Sequence, residues 1–188
     1  MGFGCSAMMS ITNHYQRLQA TGRDITFRYA ARWLYNEAQL VDEWPETPPE
    51  EGTSVRAGCD ILRDRGHRRV QNGVAGLENL VNGIAANRWA TTVDEMRAAI
   101  YSGVACAIGV NWYSKMDTPY LRDGEWWINV GGYIRGGHCL SVFRMSDRRQ
   151  AFRLMNSWGS AFPPSWISYD DMQRLISEAG EATVITDR

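Results

Sequence analysis

The pattern of apolar residues changes near Gly103, and this change constrains the fold more than any other feature of the chain. Before Gly103, apolar residues recur near the helical period of about 3.6 residues, which predicts helices over 5–20 and 27–40. A third helix is predicted to begin at Thr53 or Ser54, since either hydroxyl can accept a hydrogen bond from the first turn.

Two further signals complete the helical part. The third helix would bury Val55, Cys59 and Leu62, which share one face. The segment 92–95 is a capping box, in which a Thr hydroxyl and a Glu carboxylate each accept from a backbone N–H. It predicts a fourth helix that ends at Gly103.

The part after Gly103 is rich in β-forming residues, in stretches that Gly, Asp and Ser separate. The predicted strands are 104–111, 125–130, 138–145, 151–158 and 182–186, with one short helix at about 168–179. Helices followed by antiparallel strands predict an α+β protein with two lobes. The helical lobe would span about 1–103 and the β-rich lobe about 104–188, together forming a single domain over 1–188.

Composition excludes several classes of partner. A net charge of −1 gives no electrostatic reason to expect nucleic acid or an anionic membrane. No apolar run approaches the ~18 residues that span a bilayer, and the sequence starts without the pattern of a secretory signal. The sequence leaves the oligomeric state open.

The cysteine and histidine content predicts neither a disulfide scaffold nor a metal site. Four cysteines in 188 residues are too sparse for a disulfide-rich protein, and Cys59 and Cys106 have apolar neighbours typical of buried thiols. The three histidines are far apart, and no Cys-x-x-Cys spacing occurs. We expect no cofactor and a cytoplasmic protein, although a chain encoded by a virus or phage would look the same.

Three short motifs carry candidate chemistry. Cys5 begins the first predicted helix, where the helix dipole favours a thiolate. His138 follows two glycines at the start of an apolar strand, and Asn156 ends the next strand, in the string Asn-Ser-Trp-Gly. The separations are 133 and 18 residues. A hairpin turning at 146–150 would bring His138 and Asn156 side by side, so that the amide orients the imidazole.

This order and spacing resemble those of the papain-like cysteine peptidases, and the resemblance extends over nearly the whole chain. It implies a two-lobed fold with a cleft between a helical lobe and an antiparallel β lobe. Cys5 would be the nucleophile, His138 the acid and base, and Asn156 the residue that orients His138. Trp158 resembles the family tryptophan that shields the His–Asn hydrogen bond. The substrate would be an extended peptide bound between the lobes.

The resemblance also implies substrate-binding residues. Gly52 lies in a segment similar to the family loop that pairs with the substrate backbone, although Thr53 replaces the second glycine of that loop. Gly137 lets the chain approach closely beside the predicted catalytic histidine. Trp112, Tyr113 and Trp158 are candidate aromatic residues of the cleft.

One departure from the family leaves two alternatives open. The family places an oxyanion-hole Gln six residues before the nucleophile, and the sequence has no residue there. Losing one such donor typically lowers kcat by about 10²–10³. The chain could therefore be a catalytically weak binding or structural module. It could also use the same acyl-enzyme chemistry as an amidase or acyl transferase acting on cell-wall peptides.

Overall fold

The computed structural model describes residues 29–43, 52–71, 74–81 and 83–187, with the backbone alone for 71, 74–81 and 187. Cys5 and the helix predicted over 5–20 lie outside these residues. The described helices are α1 (Ala31–Gln39), α2 (Val55–Asp64), α3 (Val93–Tyr101) and α4 (Tyr169–Ser177). No helix of the described part is long and apolar enough to cross a membrane.

Ten strands are described. They are β1 (His67–Gln71), β2 (Val74–Val81), β3 (Ile84–Trp89), β4 (Cys106–Tyr113), β5 (Tyr120–Arg122), β6 (Glu125–Trp127), β7 (Ile134–Ser146), β8 (Ala151–Met155), β9 (Ser165–Ser168) and β10 (Glu181–Asp187). Strands β1 and β2 form a hairpin. The other eight form one sheet in the order β3-β10-β4-β7-β8-β9-β6-β5, and its pairs are antiparallel except β6 with β9. The predicted α+β class is confirmed.

The helix starts follow from specific caps. Ser54, rather than Thr53, caps α2, because its Oγ accepts from the N–H of Ala57 at 3.0 Å. The capping box of α3 forms as predicted, with the Thr92 hydroxyl accepting from the N–H of Glu95 at 3.2 Å. The predicted stripe of α2, Val55, Cys59 and Leu62, is fully buried.

Strands β1, β2 and β3 precede Gly103, in the part of the chain where the sequence predicted helices and no strand. Strand β3 joins the large sheet through β10, with Asn87 opposite Ile185. The first and third of these strands were missed because they carry little apolar alternation: β1 reads HRRVQ and β3 reads IAANRW. Their backbone pairing, rather than a hydrophobic face, makes them strands.

The central sheet separates two hydrophobic cores. Ile108 and Leu140 face a core shared with α3 and α4, whose members include Met96 and Met172. Alternate residues of the same strands, such as Cys139, face a core formed with α1 and α2. Because successive side chains of a strand point to opposite faces, each strand supplies both cores. Burial of one large aliphatic side chain stabilises the fold by roughly 1.5–3 kcal/mol, so these strands are held firmly.

Candidate active site

His138 and Asn156 meet at one end of the β7–β8 hairpin. His138 lies within β7, opposite Val110 of β4, and Asn156 directly follows β8. The hairpin turns over 147–150, within the predicted 146–150, and Ser141 pairs with Met155 beside the site. The imidazole Nε2 of His138 lies 2.9 Å from the amide Oδ1 of Asn156. Two residues 18 positions apart are thereby in direct contact.

The orientation of the Asn156 amide determines which nitrogen of His138 carries the proton. The backbone N–H of Ser157 donates to Asn156 Oδ1 at 2.8 Å, so this atom is the carbonyl oxygen. A carbonyl oxygen only accepts, and Nε2 of His138 must therefore donate. The other ring nitrogen, Nδ1, remains for a second partner. Asn156 is 6% exposed, which protects the hydrogen bond from water.

Two tryptophans flank the imidazole. The ring centroid of His138 lies 4.8 Å from that of Trp158 and 4.8 Å from that of Trp112, which meets it edge to face. The two indoles contact each other, and Phe162 packs against both. Trp112 is 3% exposed and Trp158 is 43% exposed, so one indole is buried while the other borders solvent.

Asp117 accepts hydrogen bonds from both the buried indole of Trp112 and the guanidinium of Arg135. Its Oδ1 accepts from Trp112 Nε1 at 2.7 Å, and its Oδ2 accepts from Arg135 Nη1 at 2.5 Å. Asp117 ends a 3₁₀ turn, Ser114–Asp117, whose Ser114 N–H donates to the carbonyl of Tyr133. The carboxylate is therefore held on both oxygens, and the turn that carries it is anchored through Ser114. Neither Asp117 nor Arg135 was expected from the sequence, since no motif links them to His138.

The surroundings of His138 shift its pKa in opposing directions. Burial lowers the pKa below its ordinary value, because a charged imidazole loses hydration. The hydrogen bond that His138 donates to Asn156 and the negative charge of Asp117 each raise the pKa, but burial has the larger effect. Without a further anion, the imidazole is thus neutral over more of the pH range than a free histidine.

A pocket of about 170 Å³ opens beside the imidazole. It is lined by Trp112, Arg135, Gly136, Gly137, His138 and Trp158. Gly136 has a φ of +146°, which side-chain-bearing residues rarely adopt, and a Cβ there would meet nothing within 4 Å. The two glycines leave the wall beside His138 without side chains.

The predicted site residues divide into two groups. His138, Asn156, Gly137, Trp112 and Trp158 come together around this pocket. Cys5 lies outside the described residues.

Gly52 and Thr53 belong to the second group, since neither lines the pocket. They precede α2, where the Gly52 carbonyl accepts from Gln39 at 3.2 Å. Tyr113 does not line the pocket either, because its hydroxyl donates to Glu178 at 2.6 Å. Among the described residues, no group of three or more His, Cys, Asp or Glu side chains could hold a metal ion.

No family model and no curated protein sequence matches the chain. Solved structures do resemble it. Xylellain, a cysteine protease from Xylella fastidiosa, has a TM-score of 0.70 and 16% identity. The superposition covers 97% of this chain and 79% of the xylellain chain. The Carica candamarcensis cysteine protease CMS1MS2, solved in complex with E-64, has a TM-score of 0.64 and 13% identity. The superposition covers 98% of this chain and 88% of the CMS1MS2 chain. The chain has the papain fold.

The papain fold is shared with longer proteins as well. Digestive procathepsin L 3 of Tenebrio molitor has a TM-score of 0.65 and 12% identity to this chain. The superposition covers 97% of this chain but 62% of the procathepsin chain. The resemblance inferred from the order Cys5, His138 and Asn156 is thereby confirmed at the level of the fold. At these identities the likeness establishes architecture, and the chemistry has to be argued from the residues.

Proposed function

We propose that this chain is a cysteine peptidase in which Cys5 is the nucleophile, His138 the acid and base, and Asn156 the residue that orients His138. The observation that carries the proposal is the hydrogen bond from His138 Nε2 to Asn156 Oδ1, at 2.9 Å, within a papain fold. This bond leaves Nδ1 as the nitrogen that can exchange a proton with a thiol.

The reaction follows from these roles. Cys5 transfers its thiol proton to Nδ1 of His138, and the thiolate attacks the carbonyl carbon of a peptide bond. The imidazolium then protonates the leaving nitrogen as the C–N bond breaks, which leaves an acyl group on sulfur. Water, deprotonated by His138, attacks this thioester, and the carboxylic acid product departs as the thiol is restored.

A charged resting pair requires the thiolate to offset the effect of burial on the pKa of His138. Burial lowers the pKa of His138, which by itself favours the neutral imidazole. A thiolate beside Nδ1 would act in the opposite direction, since a nearby anion stabilises the imidazolium. Asp117 already contributes negative charge and raises the pKa of His138. The predicted helix start at Cys5 would stabilise the thiolate in turn.

The other three cysteines are poor candidates for the nucleophile. Cys59, Cys106 and Cys139 are all buried, at 0%, 0% and 1% exposure. Burial raises the pKa of Cys106 to about 12, so this residue stays protonated at neutral pH. Cys139 follows His138 in the sequence, but its side chain joins the core formed with α1 and α2, on the opposite face of the sheet. Cys5 is the remaining thiol.

The proposal is tested by labelling and by hydrolysis. The purified chain is treated with E-64 and with a mixture of unstructured peptides, and the labelled residue and the cleavage products are identified by mass spectrometry. We expect one label on Cys5 and peptide cleavage, both lost in Cys5→Ala and His138→Ala. Cys139→Ser is the matched control and should keep both. Labelling of Cys5 that persists in His138→Ala would overturn the proposal, as would a folded chain that neither reacts nor cleaves.

A further inference from the structure

The pocket beside His138 contains a single positive charge. Arg135 lines it together with two indoles, the imidazole and two glycines, and no carboxylate is among these six residues. A guanidinium next to an apolar wall favours a ligand that combines a carboxylate with a short aliphatic stem. We propose that Arg135 makes this pocket a subsite for a substrate carboxylate on the leaving-group side of the scissile bond. The inference rests on the proposed peptidase function.

Arg135 is held in place and still has free binding capacity. Asp117 Oδ2 accepts from its Nη1, and the same carboxylate is anchored on its other oxygen by Trp112 Nε1. Among the residues that the structure describes, this is the one ion pair of Arg135. A guanidinium has five N–H donors, and Asp117 accepts from one of them, so four have no partner among the described residues. Its side chain is 49% exposed, so a substrate can reach it.

Asp117 reduces the net charge at the subsite without closing it. An Asp–Arg pair is nearly neutral at a distance, and a ligand carboxylate must share the guanidinium with Asp117. The advantage is a fixed geometry: the planar fork of Arg135 is oriented before binding, so less side-chain entropy is lost. The subsite should therefore discriminate by a moderate factor rather than by a large one.

The position of the pocket assigns it to the leaving-group side. His138 must deliver a proton to the leaving nitrogen, so the first residue beyond the scissile bond begins beside the imidazole. The same imidazole is a wall of the pocket, and Gly136 and Gly137 add no side chains that would obstruct the path. The carboxylate could belong to an Asp or Glu side chain or to the free C-terminus of a short substrate. Both present the same group to Arg135.

A binding measurement tests the subsite without requiring catalysis. In ¹⁵N-labelled Cys5→Ala protein, the indole N–H signals of Trp112 and Trp158 are followed by NMR while tripeptides are added. The probes are Glu-Ala-Ala-amide, Ala-Glu-Ala-amide and Ala-Ala-Ala free acid. The first two are compared with their Gln counterparts, and the free acid is compared with its amide. We expect each favoured carboxylate to bind about three- to tenfold more tightly than its neutral counterpart, as for a partly exposed, well-oriented charge pair.

Two variants decide whether Arg135 is responsible. Arg135→Gln should reduce the ratio of carboxylate to neutral affinity to about one. Arg148→Gln, which removes an exposed arginine in the β7–β8 turn, is the control and should leave the ratio unchanged. Equal affinity of charged and neutral probes for the unmodified pocket, or a preference that survives Arg135→Gln, overturns the inference. Preference for the Glu side chain or for the free terminus identifies the source of the carboxylate.

Kinetics then link the subsite to hydrolysis. Substrates with Glu or Gln immediately after the scissile bond should differ in kcat/KM by a similar factor, and 0.5 M salt should shrink the difference. A preference for a carboxylate confined to the acyl side of the bond contradicts the assignment. If the unsubstituted chain cleaves nothing and Cys5 is unreactive, the proposed function fails. The NMR titration still decides whether Arg135 binds carboxylates.

Discussion

His138 and Cys139 are neighbours in the sequence, yet their side chains point to opposite faces of the central sheet. His138 contacts Trp112 and Trp158, whereas Cys139 is 1% exposed within the core formed with α1 and α2. The thiol nearest to the imidazole along the chain is thus unavailable to it. A Cys–His pair in this protein would require a cysteine from a distant part of the sequence, as we propose for Cys5.

The amide of Asn156 should matter through its oxygen. In Asn156→Ala the imidazole loses its fixed orientation, and we expect kcat/KM to fall by about a hundredfold, at the lower end of the range of general acid–base effects. Asn156→Asp keeps an acceptor for Nε2–H and adds a negative charge, which raises the pKa of His138. The alkaline limb of its pH–rate profile should therefore move to higher pH. Equal loss in both variants, with no shift of the profile, would indicate a purely structural role.

Asp117 should tune the charge of His138 without touching it. Its negative charge raises the pKa of His138, so removing the charge should lower it. Asp117→Asn keeps an oxygen that can accept from Trp112 Nε1, and therefore separates charge from position. We expect the NMR titration of His138 in Cys5→Ala protein to shift to lower pH when Asp117→Asn is added. Trp112→Phe, which removes the indole N–H but leaves the charge, serves for comparison. An unchanged or raised titration midpoint would refute the electrostatic role.

His67 should make the fold sensitive to acid. It is fully buried, stacks on Tyr29 at 4.5 Å, and accepts from the N–H of Arg68, and burial lowers its pKa to about 3. Between this value and the unfolded value of about 6.5, the unfolded chain binds more protons. The free energy of unfolding therefore falls as pH drops from about 6.5 towards 3.

Denaturant unfolding at several pH values measures this effect of His67. In His67→Gln the slope with pH should become shallower, whatever the absolute stability of the variant. The half-buried His138, whose pKa is also lowered, has a smaller effect of the same sign in both proteins. Identical slopes in the two proteins would show that His67 is not the acid-sensitive group.

Ser54 and Thr53 provide a matched test of the α2 cap. The Ser54 hydroxyl accepts from the N–H of Ala57, whereas the Oγ1 of Thr53 is buried without a partner among the described residues. Ser54→Ala should lower the free energy of unfolding by about 1 kcal/mol. Thr53→Val replaces an unsatisfied hydroxyl with a methyl and should be neutral or stabilising. Urea unfolding distinguishes the two, and the reverse ranking would place the cap at Thr53.

The sequence predicted the parts of the site that depend on local chemistry. The hairpin that joins His138 to Asn156 follows from two β-forming stretches and a polar turn, and the helix caps follow from short hydrogen-bonding motifs. The Asp117–Arg135 pair could not be foreseen, because it depends on how a 3₁₀ turn packs beside β7. The choice between Ser54 and Thr53 likewise required the backbone geometry. Strand β1 was missed because tertiary pairing, rather than apolar alternation, defines it.

The rate of alkylation of Cys5 as a function of pH tests the central claim most directly. Iodoacetamide labelling is followed from pH 4 to 9 in the unsubstituted chain and in His138→Ala. We predict rapid labelling already near pH 5 that depends on His138, because a thiolate–imidazolium pair forms well below the ordinary thiol pKa. Labelling that rises only near the free-thiol pKa of about 8.5, and equally in both proteins, would contradict a catalytic Cys5–His138 pair.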